Sequence, residues 1–430
     1  MDNDDGMKYS EIMQVNFPRG KIVPAKESSY LILADNHPEI HAIVQELSSQ
    51  SIPFLLVSNL VIKPSETKKL LKIFGSVDLL RGWIQRRSLR LDGQNFRIIR
   101  VLIALEILIK VANQLQLFVF SNYFTSIYKF FYRKKTSRII AKFKGKAILV
   151  SEAIEIESKP DKRLITIAFH GSPNLVNQMI LRAKDHWKNW SDSEKLLDAS
   201  NTAIEHADHI IALSNFSASG FESSPNSQRQ VHVIPIGGIN LNHDGQLMIR
   251  SWPEVKTFLY LGRLSLAKGL PVFVESAERF SGCAQFIAAG NLVSPIPGWP
   301  EIASSNSALR FELAPSTDRV KELFRTSHFY ISPSYYEGFG IAAIEAMSFG
   351  CIPILSKYSA APEILANSGL EKFIFDPEME NSLHSVIDQI LNLTSVDLQV
   401  LSEVAIVLSK KFSFNLFAQN FVRKLYEEFD

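Results

Sequence analysis

The stretch HFYISPSYYEGFGIAAIEAM, residues 328–347, joins a predicted strand to a predicted helix through a loop that contains glycine. The apolar run His328–Ile331 is typical of a buried strand, and Ile341–Met347 has the composition of a helix. The first backbone N–H groups of a helix lack intrahelical partners, so this loop predicts a site for an anion such as phosphate. Gly338 and Gly340 would let the backbone approach that anion closely, because glycine has no side chain.

Two glutamates bracket the glycines and the first turn of the predicted helix. Glu337 precedes Gly338, and Glu345 lies one turn into the helix, where its side chain would lean back toward the same cleft. A phosphate repels a carboxylate, so Glu345 is better suited to accept hydrogen bonds from neutral hydroxyl groups, such as those of a ribose. The alternative is that both acids only favour the N-terminal turn of the helix electrostatically.

A second stretch, TFLYLGRLSLAKGL at residues 257–270, places two cations directly after a predicted strand. The strand ends at Gly262, and Arg263 and Lys268 follow in the loop. Arginine offers a planar fork for two phosphate oxygens, and lysine offers a mobile point charge. The pair is therefore interpreted as a clamp for a diphosphate, although either residue alone is more typical of a solvated surface.

A third stretch, ITIAFHGSPN at residues 165–174, ends a predicted strand of the first half with His170. Ligands of parallel sheets bind outside the carboxyl ends of the strands. A histidine at that position titrates near neutral pH and can donate to a sugar hydroxyl or to a developing charge. A structural histidine is the alternative.

Composition sets limits on the class of protein. The chain has 430 residues, 46% hydrophobic and 21% charged, with a net charge of +2, which argues against a general nucleic-acid binder. The two cysteines, Cys283 and Cys351, fit neither a disulfide framework nor a metal cluster, so we expect the protein to reside in the reducing cytoplasm. The acidic N-terminus has no apolar core, so it is not expected to be a signal peptide.

Short apolar runs alternate with helical patterns along the whole chain, which predicts an α/β fold with parallel sheets covered by helices on both faces. The candidate strands are Tyr30–Ala34, Phe54–Ser58, Leu117–Ser121, Ile165–Phe169, Ile210–Ser214, Val231–Ile234, Thr257–Leu261, Gln285–Ala288, Leu309–Leu313, His328–Ile331, Ile352–Leu355 and Phe373–Phe375. Twelve strands are too many for one ordinary sheet, so we predict two doubly wound, Rossmann-like domains facing a cleft, joined near Gly237–Trp252.

Together the three stretches resemble the retaining glycosyltransferases of the GT-B fold, in particular the large GT4-type family, glycosyltransferase group 1. Gly262-Arg263 with Lys268-Gly269 resembles that family's donor loop, and Glu337 with Glu345 resembles its E-x7-E motif. Weaker matches lie at 207–221, 233–240 and 412–429. The resemblance implies an N-terminal acceptor-side domain at 1–240, a nucleotide-sugar domain at 241–411, and a last helix, 412–430, that packs back on the first domain.

The resemblance also implies the roles of the site residues. The donor-binding residues would be Gly262, Arg263, Lys268, Glu337, Gly338, Phe339, Gly340, Ile341 and Glu345; the catalytic residues would be His170, Glu337, Arg263 and Lys268. Arg263 and Lys268 would hold the donor diphosphate, Glu345 the ribose, and Glu337 with the following backbone the sugar and its phosphate. The family retains the anomeric configuration and uses no metal or other cofactor. The implied partners are a nucleotide sugar and a glycan or lipid-linked acceptor, without nucleic acid.

Some features depart from the family pattern. The loop after the first predicted strand, LILADNHPEIHAIV, begins without the usual glycines, and Ile236 stands where the family has asparagine. Asp2-Asn3-Asp4 follows no strand and is not interpreted as a metal site.

Two alternatives to a transferase stay open. They are a nucleotide-sugar epimerase of the same fold and a catalytically degenerate sugar-binding or scaffold protein.

An amphipathic helix is predicted near 98–114, followed by the strand Leu117–Ser121, and then by a basic segment at 128–146. Its basic residues are Lys129, Arg133, Lys134, Lys135, Arg138, Lys142, Lys144 and Lys146; Phe130, Phe131 and Tyr132 lie among them, and Arg81, Trp83, Arg86, Arg87 and Arg90 lie upstream. Such a segment suits an anionic membrane surface, which would make the protein peripheral at a membrane. A solvated basic face is the alternative, and nucleic acid is not supported by the rest of the chain.

Overall fold

A computed structural model describes residues 30–33, 38–58, 96–98, 118–152, 154–188, 190, 196–197, 201–222, 229–238, 250–292 and 307–428, and the single positions 72 and 109. Two parallel sheets form the framework of these residues.

The first sheet has seven strands in the order β3-β2-β1-β4-β5-β6-β7, and each neighbouring pair is parallel. The strands are β1 (Tyr30–Leu33), β2 (Phe54–Ser58), β3 (Phe96–Ile98), β4 (Ala147–Ser151), β5 (Arg163–Ala168), β6 (His209–Ala212) and β7 (Gln230–Val233). The inner strands are buried apolar runs, as expected for a sheet covered on both faces.

Helices cover both faces of the first sheet. The helices of this region are α1 (Pro38–Ser49), α2 (Phe118–Lys142), α3 (Pro173–His186), α4 (Thr202–Glu205) and α5 (Asn215–Glu222). Ile32 and Leu149 face α1, whereas Leu31 and Ile148, their chain neighbours, face the cluster that contains Tyr132 of α2. This alternation follows from the two-residue period of strand side chains.

The second sheet has six strands in the order β10-β9-β8-β11-β12-β13, again all parallel. They are β8 (Lys256–Leu261), β9 (Ala284–Gly290), β10 (Leu309–Leu313), β11 (Phe329–Ser332), β12 (Ile352–Ser356) and β13 (Ile374–Phe375). The strand order reverses between β8 and β11, and in the first sheet between β1 and β4. Ligands of doubly wound folds bind at such reversals, outside the carboxyl ends of the strands.

The helices of the second half are α6 (Leu270–Arg279), α7 (Thr317–Thr326), α8 (Ile341–Ser348), α9 (Ala361–Ile364), α10 (Ser382–Leu391), α11 (Ser395–Ser409) and α12 (Phe414–Glu428). Phe417 and Phe421 of α12 are buried, and α12 packs against α1 of the first sheet. Ser413, just before α12, forms a parallel bridge with Gly238, so the end of the chain returns to the first domain.

None of the helices in the described ranges has, by itself, the length and hydropathy of a membrane span. Only α10 and α11 taken together reach those criteria, and they are bent by 118° where they meet.

The fold class is confirmed, while part of the first half was predicted wrongly. The predicted strand Leu117–Ser121 is wrong, because helix α2 begins at Phe118 and continues for 25 residues without glycine or proline. Ile98 belongs to strand β3 rather than to the predicted helix near 98–114, most of which lies outside the described residues. Strands β3 and β4 were not predicted. The predicted boundary near residue 241 also lies outside the described residues, as do Asp2-Asn3-Asp4 and the upstream basic residues.

Candidate active site

The loop between β11 and α8 has the geometry that its glycines require. Gly340 lies just before α8 with a φ of 105°, in the left-handed region that favours glycine. Gly338 lies against the first domain, where a side chain would meet the carbonyl oxygen of Phe169 at 2.8 Å. The first turn of α8 therefore begins beside the first domain, and its first backbone N–H groups lack intrahelical partners.

The loop after β8 brings a cation to this helix start. The Nζ atom of Lys268 donates to Glu337 Oε2 at 2.7 Å and to the carbonyl oxygen of Tyr336 at 3.0 Å. Gly269 makes this approach possible: its φ is 73°, and an added methyl group would overlap the carbonyl oxygen of Pro333. β8 and β11 are the strands between which the sheet order reverses, so the pair Lys268–Glu337 lies where a doubly wound domain binds its ligand.

The other predicted donor residues differ in exposure. Gly262 and Arg263 are exposed after β8, and Ile341 and Glu345 of α8 are half-buried. Phe339 is only 2% exposed and packs edge-on against Phe412, with ring centroids 5.6 Å apart. Its side chain therefore belongs to the core, and only its backbone can meet a ligand.

Glu345 lies at the boundary with the first domain. A side chain at Gly238 would come within 2.9 Å of the Cγ atom of Glu345 and would also contact Ile341. Glycine at 238 therefore leaves room for the Glu345 carboxylate beside the first turn of α8.

The first domain contributes His170, which follows β5 and has a side chain that is 74% exposed. Glu152, the residue after β4, accepts a hydrogen bond from the backbone N–H of His170 at 2.6 Å and another from His170 Nδ1. The hydrogen bond to Glu152 raises the pKa of His170, while the positive charges of Lys268 and Arg263 oppose that rise. The hydroxyl of Tyr336 contacts the carbonyl oxygen of His170, which places His170 beside the loop before α8.

Glu152 was missed by the sequence reasoning. Its side chain is 8% exposed, so it is an acid buried beside the cleft and held by the histidine. Glu152 directly follows the apolar run Ala147–Ser151. Had that run been predicted as a strand, Glu152 would have been recognised as an acid at a strand end.

Hydrogen bonds between the domains hold the loop around Glu337 on both sides. Tyr336, before Glu337, donates from its hydroxyl to the carbonyl oxygen of His170, and burial raises its pKa, so it stays a neutral donor. Gly338, after Glu337, accepts at 2.6 Å from the hydroxyl of buried Ser214. His170 of the first domain thus lies beside the loop Tyr336–Gly338 of the second domain.

The arrangement brings the Lys268 cation, the Glu337 carboxylate and the N-terminus of α8 together. That combination suits a ligand with a diphosphate and several hydroxyl groups. Within the described part of the chain, no group of three or more His, Cys, Asp or Glu side chains is placed to hold a metal ion.

Two Rossmann-like domains with a cleft between them define the GT-B architecture, and solved structures of that architecture resemble the whole chain. Sucrose-phosphate synthase from Thermosynechococcus elongatus aligns with a TM-score of 0.59 at 15% identity, covering 93% of this chain and 98% of its own. The Escherichia coli protein described as trehalose-6-phosphate bound with UDP-2-fluoro glucose aligns with a TM-score of 0.52 at 13% identity, covering 93% of this chain and 99% of its own. At these identities the likeness establishes the fold.

The relation to a known family rests on the second domain. Residues 250–400 match the family model described as glycosyl transferases group 1. GDP-mannose:cellobiosyl-diphosphopolyprenol alpha-mannosyltransferase of Xanthomonas oryzae pv. oryzae is 32% identical over 121 residues, which is 26% of this chain and 32% of the relative. The chain thus spans about a third of the length of the first curated relatives that it matches.

Proposed function

We propose that the chain is a retaining glycosyltransferase, of the GT4 type, that moves a sugar from a nucleoside-diphosphate sugar to a glycan or lipid-linked acceptor without a metal ion. The observation that carries this proposal is the contact between Lys268 and Glu337 at the strand-order reversal of the second sheet, beside the N-terminus of α8. A cation and a helix N-terminus at one point are suited to a diphosphate, and His170 of the other domain lies beside Tyr336, the residue before Glu337.

The donor is proposed to lie along the carboxyl edge of the second sheet. Lys268 and the exposed Arg263 would hold its diphosphate, and the backbone N–H groups of 338–341 would bind the remaining phosphate oxygens. Glu345 would accept hydrogen bonds from the ribose, and Glu337 from the sugar. Glu337 would exchange part of its contact with Lys268 for a sugar hydroxyl when the donor binds.

The proposed reaction breaks the bond between the anomeric carbon and the donor phosphate oxygen, and forms a bond from an acceptor oxygen to the same carbon on the same face. The acceptor proton passes to the leaving diphosphate, so charge and atoms balance. Negative charge grows on the diphosphate as its bond breaks, and Lys268 and Arg263 stabilise it most in the transition state. His170, kept protonated to higher pH by Glu152, adds positive charge on the sugar side.

The acceptor is proposed to be a glycan precursor of polysaccharide biosynthesis, lipid-linked or free, used by a cytoplasmic enzyme. The support is indirect: the Xanthomonas relative is named for a cellobiosyl-diphosphopolyprenol acceptor, and it matches only part of this chain.

A donor screen tests the proposal. The purified chain is incubated with GDP-mannose, UDP-glucose and other nucleotide sugars, and release of free nucleotide is measured together with the sugar product. We expect slow nucleotide release with one donor, lost in Lys268→Ala. Interconversion of sugars without nucleotide release would indicate an epimerase, and binding without either reaction would indicate a sugar-binding or scaffold protein; both results would reject a transferase.

A further inference from the structure

Helix α2 presents aromatic and basic side chains on one exposed face. We call this face the basic-aromatic strip; its residues are Tyr123, Phe130, Phe131, Lys134, Arg138 and Lys142. Tyr123 is 62% exposed, Phe130 51% and Phe131 44%, values that are unusual for aromatic side chains of a folded domain. At about 100° per residue the six positions fall within roughly one third of the helix circumference.

The orientation of the strip is fixed by the opposite face of α2. Tyr132 is 5% exposed and Thr136 is 1% exposed, and Tyr132 belongs to the apolar cluster beneath the first sheet. Tyr132 therefore anchors the helix, contrary to the prediction that it belongs with Phe130 and Phe131 on the surface. Because Tyr132 is anchored, α2 cannot turn the strip inward without unpacking this side of the sheet.

Five of the six cations of α2 form two groups, and Lys135 belongs to neither. The helix itself has no acidic residue. Outside the helix, Lys129 Nζ lies 3.3 Å from Glu155 Oε1, and Arg133 Nε lies 3.6 Å from Glu157 Oε1. Those two cations lie outside the strip, and the segment after β4 neutralises them. In contrast, Lys134, Arg138 and Lys142 on the strip have no carboxylate partner among the residues that the structure describes. Net positive charge is thus concentrated where the aromatic side chains are exposed.

We propose that the basic-aromatic strip is a docking surface for an anionic phospholipid membrane. Cations beside an anionic bilayer strengthen binding about fivefold each, and exposed aromatic side chains enter the headgroup region, as they do for helices that lie in a membrane interface. The 25-residue helix is about 37 Å long, enough to lie flat along a bilayer. Single-stranded nucleic acid is bound in grooves with stacked bases, whereas the strip is the convex ridge of one helix.

This surface goes beyond the proposed function, because it contains no residue of the cleft. The test therefore needs neither donor nor acceptor. Cosedimentation of the full chain is measured with vesicles of phosphatidylcholine alone and with vesicles that also contain phosphatidylglycerol. We expect binding only to the anionic vesicles, weakening as salt is added.

Matched variants separate the strip from general charge. Lys134→Gln/Arg138→Gln and Lys129→Gln/Arg133→Gln each remove two positive charges from α2. We expect the first pair to weaken vesicle binding by about 30-fold and the ion-paired second pair by less than about fivefold. Phe130→Ser/Phe131→Ser should weaken binding at unchanged charge, with circular dichroism showing that each variant is folded.

Three results would overturn the proposal. They are equal affinity for both kinds of vesicle, equal losses from the two charge variants, and binding to a single-stranded oligonucleotide without binding to vesicles. Each leaves the glycosyltransferase proposal standing, because the donor screen does not depend on α2.

Discussion

Replacement of Lys268 with alanine removes the cation that joins the loop after β8 to the loop before α8. Lys268 Nζ lies 2.7 Å from Glu337 Oε2, with the lysine side chain 18% exposed and the glutamate 27%. The substitution leaves the Glu337 carboxylate beside the helix N-terminus without its cation. A diphosphate entering the cleft would then meet one positive charge fewer and a less compensated negative charge.

The expected loss can be bounded from this geometry. Two unit charges about 4 Å apart attract by about 4 kcal/mol at the effective dielectric of a protein surface. Desolvation and the remaining charge of Arg263 reduce the net effect, and hydrogen bonds to charged groups contribute about 1.5–3 kcal/mol. We therefore expect donor binding to weaken by about 2–3 kcal/mol, which is about 30- to 150-fold in Kd. The partly exposed ion pair itself contributes only about 1 kcal/mol or less to folding, so Tm should fall by a few degrees at most.

Isothermal titration calorimetry with whichever of GDP-mannose and UDP-glucose the wild-type chain binds measures this loss. Lys321→Ala is the matched control, because Lys321 is 16% exposed and pairs with a carboxylate, Asp318, on α7 away from the cleft. We expect the control to bind as the wild type does. An unchanged Kd for folded Lys268→Ala, or an equal loss in both variants, would refute the assignment of Lys268 to the diphosphate.

Three further perturbations test other parts of the molecule. Glu152→Gln removes the partner that raises the pKa of His170, so the histidine should lose its proton at lower pH than in the wild type; an unchanged titration by NMR contradicts this. Gly269→Ala should reduce the free energy of unfolding by about 2–4 kcal/mol, because the φ of residue 269 is 73° and the added methyl group would overlap a backbone carbonyl. Gly282→Ala is the control, because residue 282 has open space around it. Its free energy of unfolding, measured by denaturant titration, should stay within about 0.5 kcal/mol of the wild type. Burial lowers the pKa of His328 from 6.5 to about 4, so the unfolded chain binds the proton more tightly. The free energy of unfolding should therefore decrease as pH falls from about 6.5 to about 4, by up to about 3 kcal/mol, and His328→Gln should remove that part of the pH dependence.

The second half of the chain was predicted well because its strands are short apolar runs separated by clear helix and turn signals. Strand β10 was predicted with its observed bounds, Leu309–Leu313, and the predicted bounds of β9 lie within a few residues of the observed ones, Ala284–Gly290. The first half was harder, because aromatic and β-branched residues at the start of α2 favour a strand locally. The packing of Tyr132 and Thr136 under the sheet, many residues later, stabilises one continuous helix there.

The donor-side residues were found from their order after strands, which is visible in the sequence. Glu152 was not found, because its importance comes from contact with His170, 18 residues later. The same is true of Ser214, whose bond to Gly338 spans 124 residues. Contacts of this kind join different strand ends, and the local sequence does not show which residues meet.

The sequence by itself determined the doubly wound class of both domains and the cations, glycines and acids that follow particular strands, because hydrophobic period and loop chemistry are local properties. Only the tertiary structure decided that Lys268 meets Glu337 and that a buried acid holds His170. It also decided which cations of α2 pair with a carboxylate among the described residues and which do not. Those outcomes depend on strand order and on the approach of the two domains, and both arise from packing between residues that are distant along the chain.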